Sequence, residues 1–320
     1  MWVGATAWLL LAVALLGPAP ARLIRAPPQN GETASPPNLL LFSVDDNVMD
    51  SSWKAAYEDM VVASGARNPN GCRIPITWFS TCCAHGHTSS DCESVKRAHA
   101  AGHELSTHTR THFKKAASYT YADWAAEIGG QRDWLVNACG VPPTEVVGFR
   151  APYFVTNEAM GTVLRDLGFL YDSSLSGRDP TQGGFRMDAS SGFNFSSVCT
   201  TCGNWTQLPI WEVPAMVLPG SGGNVGKRVD PEPSSDLTVL QRLQTDFSRK
   251  QRSGVPVPLM FHEDYLMNST TRAPILQFLS WAFQQPDTWG ITYRQYLQWL
   301  QSPPGTAIAS VLAEYTCDQS

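Results

Sequence analysis

Short apolar runs alternate with stretches of helical spacing along most of the chain. Residues 39–44 (Leu-Leu-Leu-Phe-Ser-Val) are almost wholly apolar and of strand length, so they read as a buried strand. Helical spacing over 53–66, a strand over 74–79, a short helix over 91–101 and a strand over 104–107 follow. Residues 121–139 predict a longer helix, with Trp124, Ile128, Trp134, Leu135 and Ala138 as core contacts. A strand over 146–149, a helix over 157–167 capped by Asn157 or Thr156, and a strand over 169–171 come next. A polar, Gly-rich stretch from about 173 to 206 interrupts the pattern, and strand character resumes over 208–213. Beyond a second Gly/Pro/Ser loop (219–235) lie a helix over 236–251, a strand over 257–261, a helix over 272–284, a strand over 290–293 and a last helix over 294–300. Such alternation predicts an α/β domain with a mainly parallel sheet, either open or closed as a barrel.

The beginning of the chain departs from this pattern. Residues 2–16 are almost wholly apolar, and an Ala-x-Ala cleavage pattern ends at Ala21. This predicts a secretory signal peptide over 1–21, although no Lys or Arg precedes the apolar run. A comfortable bilayer span needs about 20 residues. No apolar run reaches that length, so no stable membrane insertion is expected after signal removal. Residues 22–38 read as a Pro-rich linker, 39–302 as one domain with long loops, and 303–320 as a C-terminal tail.

Composition narrows the function. The chain has 320 residues, and 23 Lys+Arg against 28 Asp+Glu give a net charge of −5. That excludes the broad basic surface on which nucleic-acid binding depends. All eight cysteines (Cys72, Cys82, Cys83, Cys92, Cys139, Cys199, Cys202 and Cys317) follow the leader, and an even number suits disulfides. Cys82 and Cys83, with His85, His87 and Cys92, can be drawn as a zinc site. Neighbouring side chains on an extended chain point apart, however, and an oxidising compartment favours disulfides. Sequons at Asn194, Asn204 and Asn268 agree with a secreted glycoprotein.

Chemically capable residues follow the predicted strands. Asp45 and Asp46 end the first; His108, Arg150, Asp172 and His262 end others, and Glu212 lies near the end of another. In an α/β barrel the C-terminal strand ends share one rim, where active sites sit. His108 and His112 stand at i and i+4. On a helical turn their Cβ atoms would be about 5–6 Å apart on one side, as two ligands of one metal require. Two histidines alone are equally compatible with surface or core packing. A carboxylate from Asp45 or Asp46 completes a metal-binding set and leaves the other acid as a base.

Four segments in order carry a family resemblance: Ser43-Val44-Asp45-Asp46, His108-Thr109-Arg110-Thr111-His112, Arg150-Ala151-Pro152-Tyr153 and Leu259-Met260-Phe261-His262. Over about residues 39–300 the chain resembles the polysaccharide deacetylases (carbohydrate esterase family 4, NodB homology), and among them the chitin deacetylase-like members. It departs from the family pattern in Ser-Val before the two acids, in Met-Phe-His where Leu-x-His is usual, and in an unclear Asp-x-x-x-Trp element. Asp172 is expected to supply that element's acid and Trp211 its aromatic wall.

The resemblance implies a distorted (β/α) barrel of the NodB type. It implies a divalent metal, zinc or alternatively cobalt, held by Asp46, His108 and His112. Asp45 would be the general base, kept ionised by Arg150. The backbone N–H of Tyr153 would help hold the oxyanion, and Trp211 would line the groove. His262 would be the general acid, supported by Asp172. The implied reaction hydrolyses acetamide groups of N-acetylglucosamine units in chitin or a related polymer, outside the cell, to glucosamine and acetate. One rival is a carbohydrate-binding protein on the same fold without turnover, which the presence of both Asp45 and His262 disfavours. Another is a family enzyme acting on O-acetyl xylan or peptidoglycan, a choice that loops 173–206 and 219–235 would govern. The chain has no Gly-x-Ser-x-Gly elbow, phosphate loop or dinucleotide fingerprint, so a serine esterase and nucleotide chemistry are disfavoured.

Overall fold

Strand β1 (Asn38–Asp46) is the spine of the sheet and is buried along nearly its whole length. The computed structural model describes residues 36–83, 89–177, 183–188, 202, 205, 207–216, 218 and 229–318. The expected signal peptide, most of the linker, Cys199, Asn194 and Asn204 lie outside the described residues.

Side chains alternate between the two faces of a strand. Leu40, Phe42 and Val44 of β1 join an outer apolar layer with Trp78, Phe247 and Phe278, while Leu39 and Leu41 join an inner cluster with Phe79, Tyr171 and Tyr293. Burial on both faces explains why a parallel strand reads as a continuous apolar run. The same alternation carries Ser43 and Asp45 to the inner side.

The other strands are β2 (Thr77–Ser80), β3 (Glu104–Thr107), β4 (Gly148–Phe149), β5 (Tyr171–Asp172), β6 (Ser176–Gly177), β7 (Phe185–Asp188), β8 (Gln207–Glu212), β9 (Ala215–Met216), β10 (Val257–His262) and β11 (Thr288–Ile291). The main sheet runs β10-β1-β2-β3-β4-β5-β8-β7, with β11 beside the first half of β1. Every pair in it is parallel except β7–β8. β6 and β9 form a separate pair. The sheet curls strongly into a half-barrel with helices around it, a single α/β domain as expected.

Helices follow the strands: α1 (Asp50–Trp53), which continues as π-type turns over Lys54–Val62, α2 (Cys92–Ala100), α3 (Tyr121–Asp133), α4 (Glu158–Asp166), α5 (Val239–Lys250), α6 (Glu263–Met267), α7 (Ser269–Ala282), α8 (Tyr293–Gln301) and α9 (Ile308–Leu312). Their starts are written in the sequence. Asp91 caps α2, Asn157 caps α4, and Thr120, Thr238 and Thr292 form capping boxes at α3, α5 and α8.

The strand expected over 146–149 shortens to β4. There a Cβ on Gly148 would sit 2.2 Å from the Tyr171 hydroxyl, so only glycine lets that ring cross the strand. Cys72 pairs with Cys317, Cys92 with Cys139, and Cys82 with its neighbour Cys83. The first of these ties the C-terminal segment, with buried Ile308, Val311 and Leu312, to the domain. No helix among the described residues is long and apolar enough to cross a membrane.

Candidate active site

Parallel register brings the chemical residues to one rim. Asp45 pairs with His262 across β1 and β10, and Asp46 pairs with Ser80 of β2. The chain leaves β3 into His108 and β4 into Arg150. Eight described non-glycine residues have positive φ, and five gather here: Asp46 (83°), Thr109 (64°), His112 (55°), Tyr153 (56°) and Asp230 (59°). Left-handed backbone at a residue with a Cβ costs of order 1–3 kcal/mol. Such strain concentrates where side chains must be aimed rather than merely packed.

His108 and His112 do meet, but not on a helical turn as expected. Segment 108–112 is non-helical, and its left-handed Thr109 and His112 bring the two rings to 5.1 Å between centroids. His108 Nδ1 lies 2.7 Å from the Arg150 carbonyl oxygen, which can only accept. Nδ1 therefore carries the proton, and Nε2 presents a lone pair. That Nε2 is 3.5 Å from Asp46 Oδ1, and His112 Nε2 is 3.0 Å from the same oxygen. Asp46 Oδ1 is buried without a well-formed hydrogen bond. A lone pair facing a carboxylate oxygen is repulsive unless a cation lies between them. One carboxylate oxygen and two imidazole nitrogens within 4.8 Å of one another fit a divalent metal of the zinc type.

Asp45 sits beneath this cluster. Arg150 Nη1 donates to Asp45 Oδ1 at 2.6 Å and to Ser43 Oγ at 3.2 Å, while Nη2 donates to Ser173 Oγ at 3.1 Å and to the Tyr293 hydroxyl at 2.8 Å. Both members of the pair are buried, and the guanidinium carbon lies 3.9 Å from the centre of the Phe79 ring.

The partner of His262 differs from expectation. Asp230 Oδ2 lies 2.5 Å from His262 Nδ1, and Asp230 Oδ1 accepts the His262 backbone N–H at 2.8 Å. Burial alone would pull the imidazole down. The Asp230 hydrogen bond and the charges of Asp45, Asp230 and Asp46 outweigh it and raise it to about 9.

Asp172 does not support His262. It accepts from Ser174 Oγ at 2.5 Å and pairs in register with Glu212, which accepts the Leu175 N–H at 3.0 Å. Burial raises Asp172 to about 6 and pushes Glu212 well up, with the Asp172 charge adding to the latter. The strand ends share a rim, but Asp172 is turned into the protein beneath it.

Trp211 is also not where the sequence suggested. It packs in the inner cluster with Tyr171, Val213 and Tyr296 because β8 pairs it with Tyr171. The cavity over the cluster is walled instead by Thr81, His112, Lys114, Tyr153, Asp230, His262, Glu263 and Asp264. The Tyr153 ring is half exposed and lies against His112, its hydroxyl 3.3 Å from Nδ1. Asn47 Nδ2 donates to Glu263 Oε1 at 3.0 Å, tying the end of β1 to α6. Sequence reading missed Asp230 and Glu263. No spacing marks Asp230 within its loop, and Glu263 stands beside the more conspicuous His262.

Residues 72–171 match the family model for polysaccharide deacetylase. The matched stretch holds His108, His112 and Arg150, to which the fold adds Asp45, Asp46 and His262. Over 299 residues, 83% of this chain, the sequence is 27% identical to chitin deacetylase 1 of Bombyx mori. It spans about half of that relative's length (51%). A Mycobacterium smegmatis structure assigned as a polysaccharide deacetylase superposes with a TM-score of 0.56 at 15% identity, covering 89% of this chain and 99% of its own. Puue allantoinase superposes with a TM-score of 0.54 at 12% identity, covering 91% and 100%. At such identities these two likenesses describe the fold.

Proposed function

We propose that the chain is a secreted, metal-dependent N-deacetylase that hydrolyses acetamide groups of N-acetylglucosamine units in chitin or a related polymer. The observation that carries this reading is the placement of Asp45 and His262. They face each other in register across β1 and β10, beside the Asp46, His108 and His112 cluster. A base and an acid flanking a metal-competent site are what amide hydrolysis needs.

Asp46, His108 and His112 would hold the metal, zinc or alternatively cobalt, which when bound polarises the acetamide carbonyl and acidifies water. Asp45, paired with Arg150, takes the proton of the attacking water. The Tyr153 backbone N–H is the proposed donor to the oxyanion. An amine leaves poorly unless protonated, and His262, charged at neutral pH and fixed by Asp230, gives its proton to the leaving nitrogen. Each of these residues has a role that sugar binding alone would not require.

Among the described residues the cavity wall carries the acids Asp46, Asp230, Glu263 and Asp264 beside Lys114 and the charged His262. The chitin deacetylase relative supports a chitin-type substrate, and the disulfides among the described residues suit an oxidising, extracellular setting. Acetate release from N-acetylglucosamine oligomers, O-acetyl xylan and peptidoglycan fragments, compared side by side, tests the proposal. Release from the first is expected. Release only from the others would overturn the chitin-type assignment.

A further inference from the structure

We infer that Glu127 of α3 is a positioning residue that sets the metal-binding geometry of His112 through segment 108–112. The inference rests on the metal reading above. After β3 the chain must reverse within four residues so that both imidazoles reach Asp46. It does so through Thr109 (φ 64°) and His112 (φ 55°), neither of them the glycine such backbone prefers. Contacts from outside the segment must therefore hold it.

Glu127 supplies three of them. Its Oε2 accepts the backbone N–H of Arg110 at 2.9 Å and of Thr111 at 2.8 Å, and its Oε1 accepts the Thr111 hydroxyl at 2.6 Å. Two successive peptide N–H groups converging on one carboxylate form an anion-holding turn, made here by a side chain of the protein itself. The opposite edge of the same peptide is held too. Arg110 O accepts from Cys83 N at 3.0 Å and from Thr81 Oγ1 at 2.8 Å.

One turn further along α3, fully buried Gln131 accepts the Cys82 N–H at 2.9 Å and donates to Ser80 Oγ at 3.1 Å. Glu127 and Gln131, at i and i+4, thus clamp the His112 segment and the segment after β2 from one helix face. Without Glu127, Arg110 and Thr111 lose the acceptor that fixes their peptides, and His112, the next residue, loses its aim at Asp46.

Co(II) binding tests this directly. Metal-free wild type, E127A and E127Q would be titrated with Co(II), reading both the dissociation constant and the visible absorption of the bound ion. Melting temperatures of the metal-free proteins would be measured alongside. E127A is expected to bind Co(II) about 10–100-fold more weakly with an altered spectrum, the usual effect of losing a group that orients a ligand. Gln can turn its oxygen to the two N–H groups and its NH2 to the Thr111 hydroxyl, so E127Q is expected within about threefold of wild type.

Equal affinity and spectrum in wild type and E127A, whatever the melting temperatures, overturn the assignment alone. E127Q losing as much as E127A overturns it as a hydrogen-bonding role. Wild type taking up no Co(II) overturns the metal reading, and the inference with it. If E127A does not fold, T111V, which deletes one of the three bonds, carries the test: a weaker affinity supports the role, and an unchanged one overturns it.

Discussion

Asp230 and His262 meet at 2.5 Å although 32 residues separate them, and the same carboxylate also takes the His262 backbone N–H. One acid thereby fixes both the ring and the chain that carries it. A general acid works only while protonated, and His262 is raised to about 9. The kcat/KM of acetate release is therefore expected to hold through neutral pH and to fall as pH rises through about 9. D230N keeps the shape and removes the charge, so the alkaline limb should move down by about one pH unit or more. D172N should leave that limb in place. The reverse pattern in the pH profiles would return the supporting role to Asp172.

Arg150 is the cation that makes a buried Asp45 tolerable. R150M would leave that carboxylate 3% exposed without its partner. Breaking a buried pair from one side costs about 3–5 kcal/mol. Urea unfolding of R150M should show a loss of that order together with lost activity. A variant as stable as wild type would mean that the pair contributes little to holding Asp45.

Trp211 and Tyr153 should separate stability from substrate contact. W211A empties a core position and is expected to cost about 3–5 kcal/mol while leaving KM for N-acetylglucosamine oligomers unchanged. Y153A, on the cavity wall, is expected to raise KM with a stability change of about 0.5 kcal/mol or less. Denaturation curves beside steady-state kinetics check both, and a raised KM in a stable W211A would put the indole back in the groove.

Metal should stabilise the fold as well as support catalysis. At a free Zn2+ concentration about 100-fold above Kd, binding to the native state alone adds about 2.7 kcal/mol. The melting temperature of the stripped protein should rise on zinc titration, and H112A should lose most of that rise. Dialysis against a chelator should abolish acetate release, and added zinc should restore it. Full activity after stripping would remove the metal role from Asp46, His108 and His112.

The parts of the structure legible in the sequence are those set by local physics. β1 is apolar because both its faces are buried, so its apolar run and the two acids at its end could be read directly. Asn157, read as a cap, announced where α4 begins. The spacing of His108 and His112 pointed to the right pair through the wrong geometry, since their meeting depends on left-handed backbone at Thr109 and His112 and on an acceptor from α3. The strands read over 146–149 and 169–171 are β4 and β5, but at two residues each they are too short for a periodic signal to fix their limits. The family resemblance put Asp172 beside His262, yet position along a strand does not say which way a side chain turns. Asp230 lies in a Gly- and Pro-containing loop with no period, and its contact with His262 exists only once that loop is laid against β10. Trp211 could be placed only by its register with Tyr171.

In the proposed mechanism Asp45 is the base beside a bound metal. The most direct test of that role is acetate release from N-acetylglucosamine oligomers by the zinc-loaded protein beside D45N, with zinc uptake measured in both. Acetate is expected from the wild type, none above background from D45N, and zinc bound by both. Acetate from D45N at the wild-type rate would contradict the role of Asp45. No acetate from a zinc-loaded wild type would contradict the chitin-type deacetylase itself.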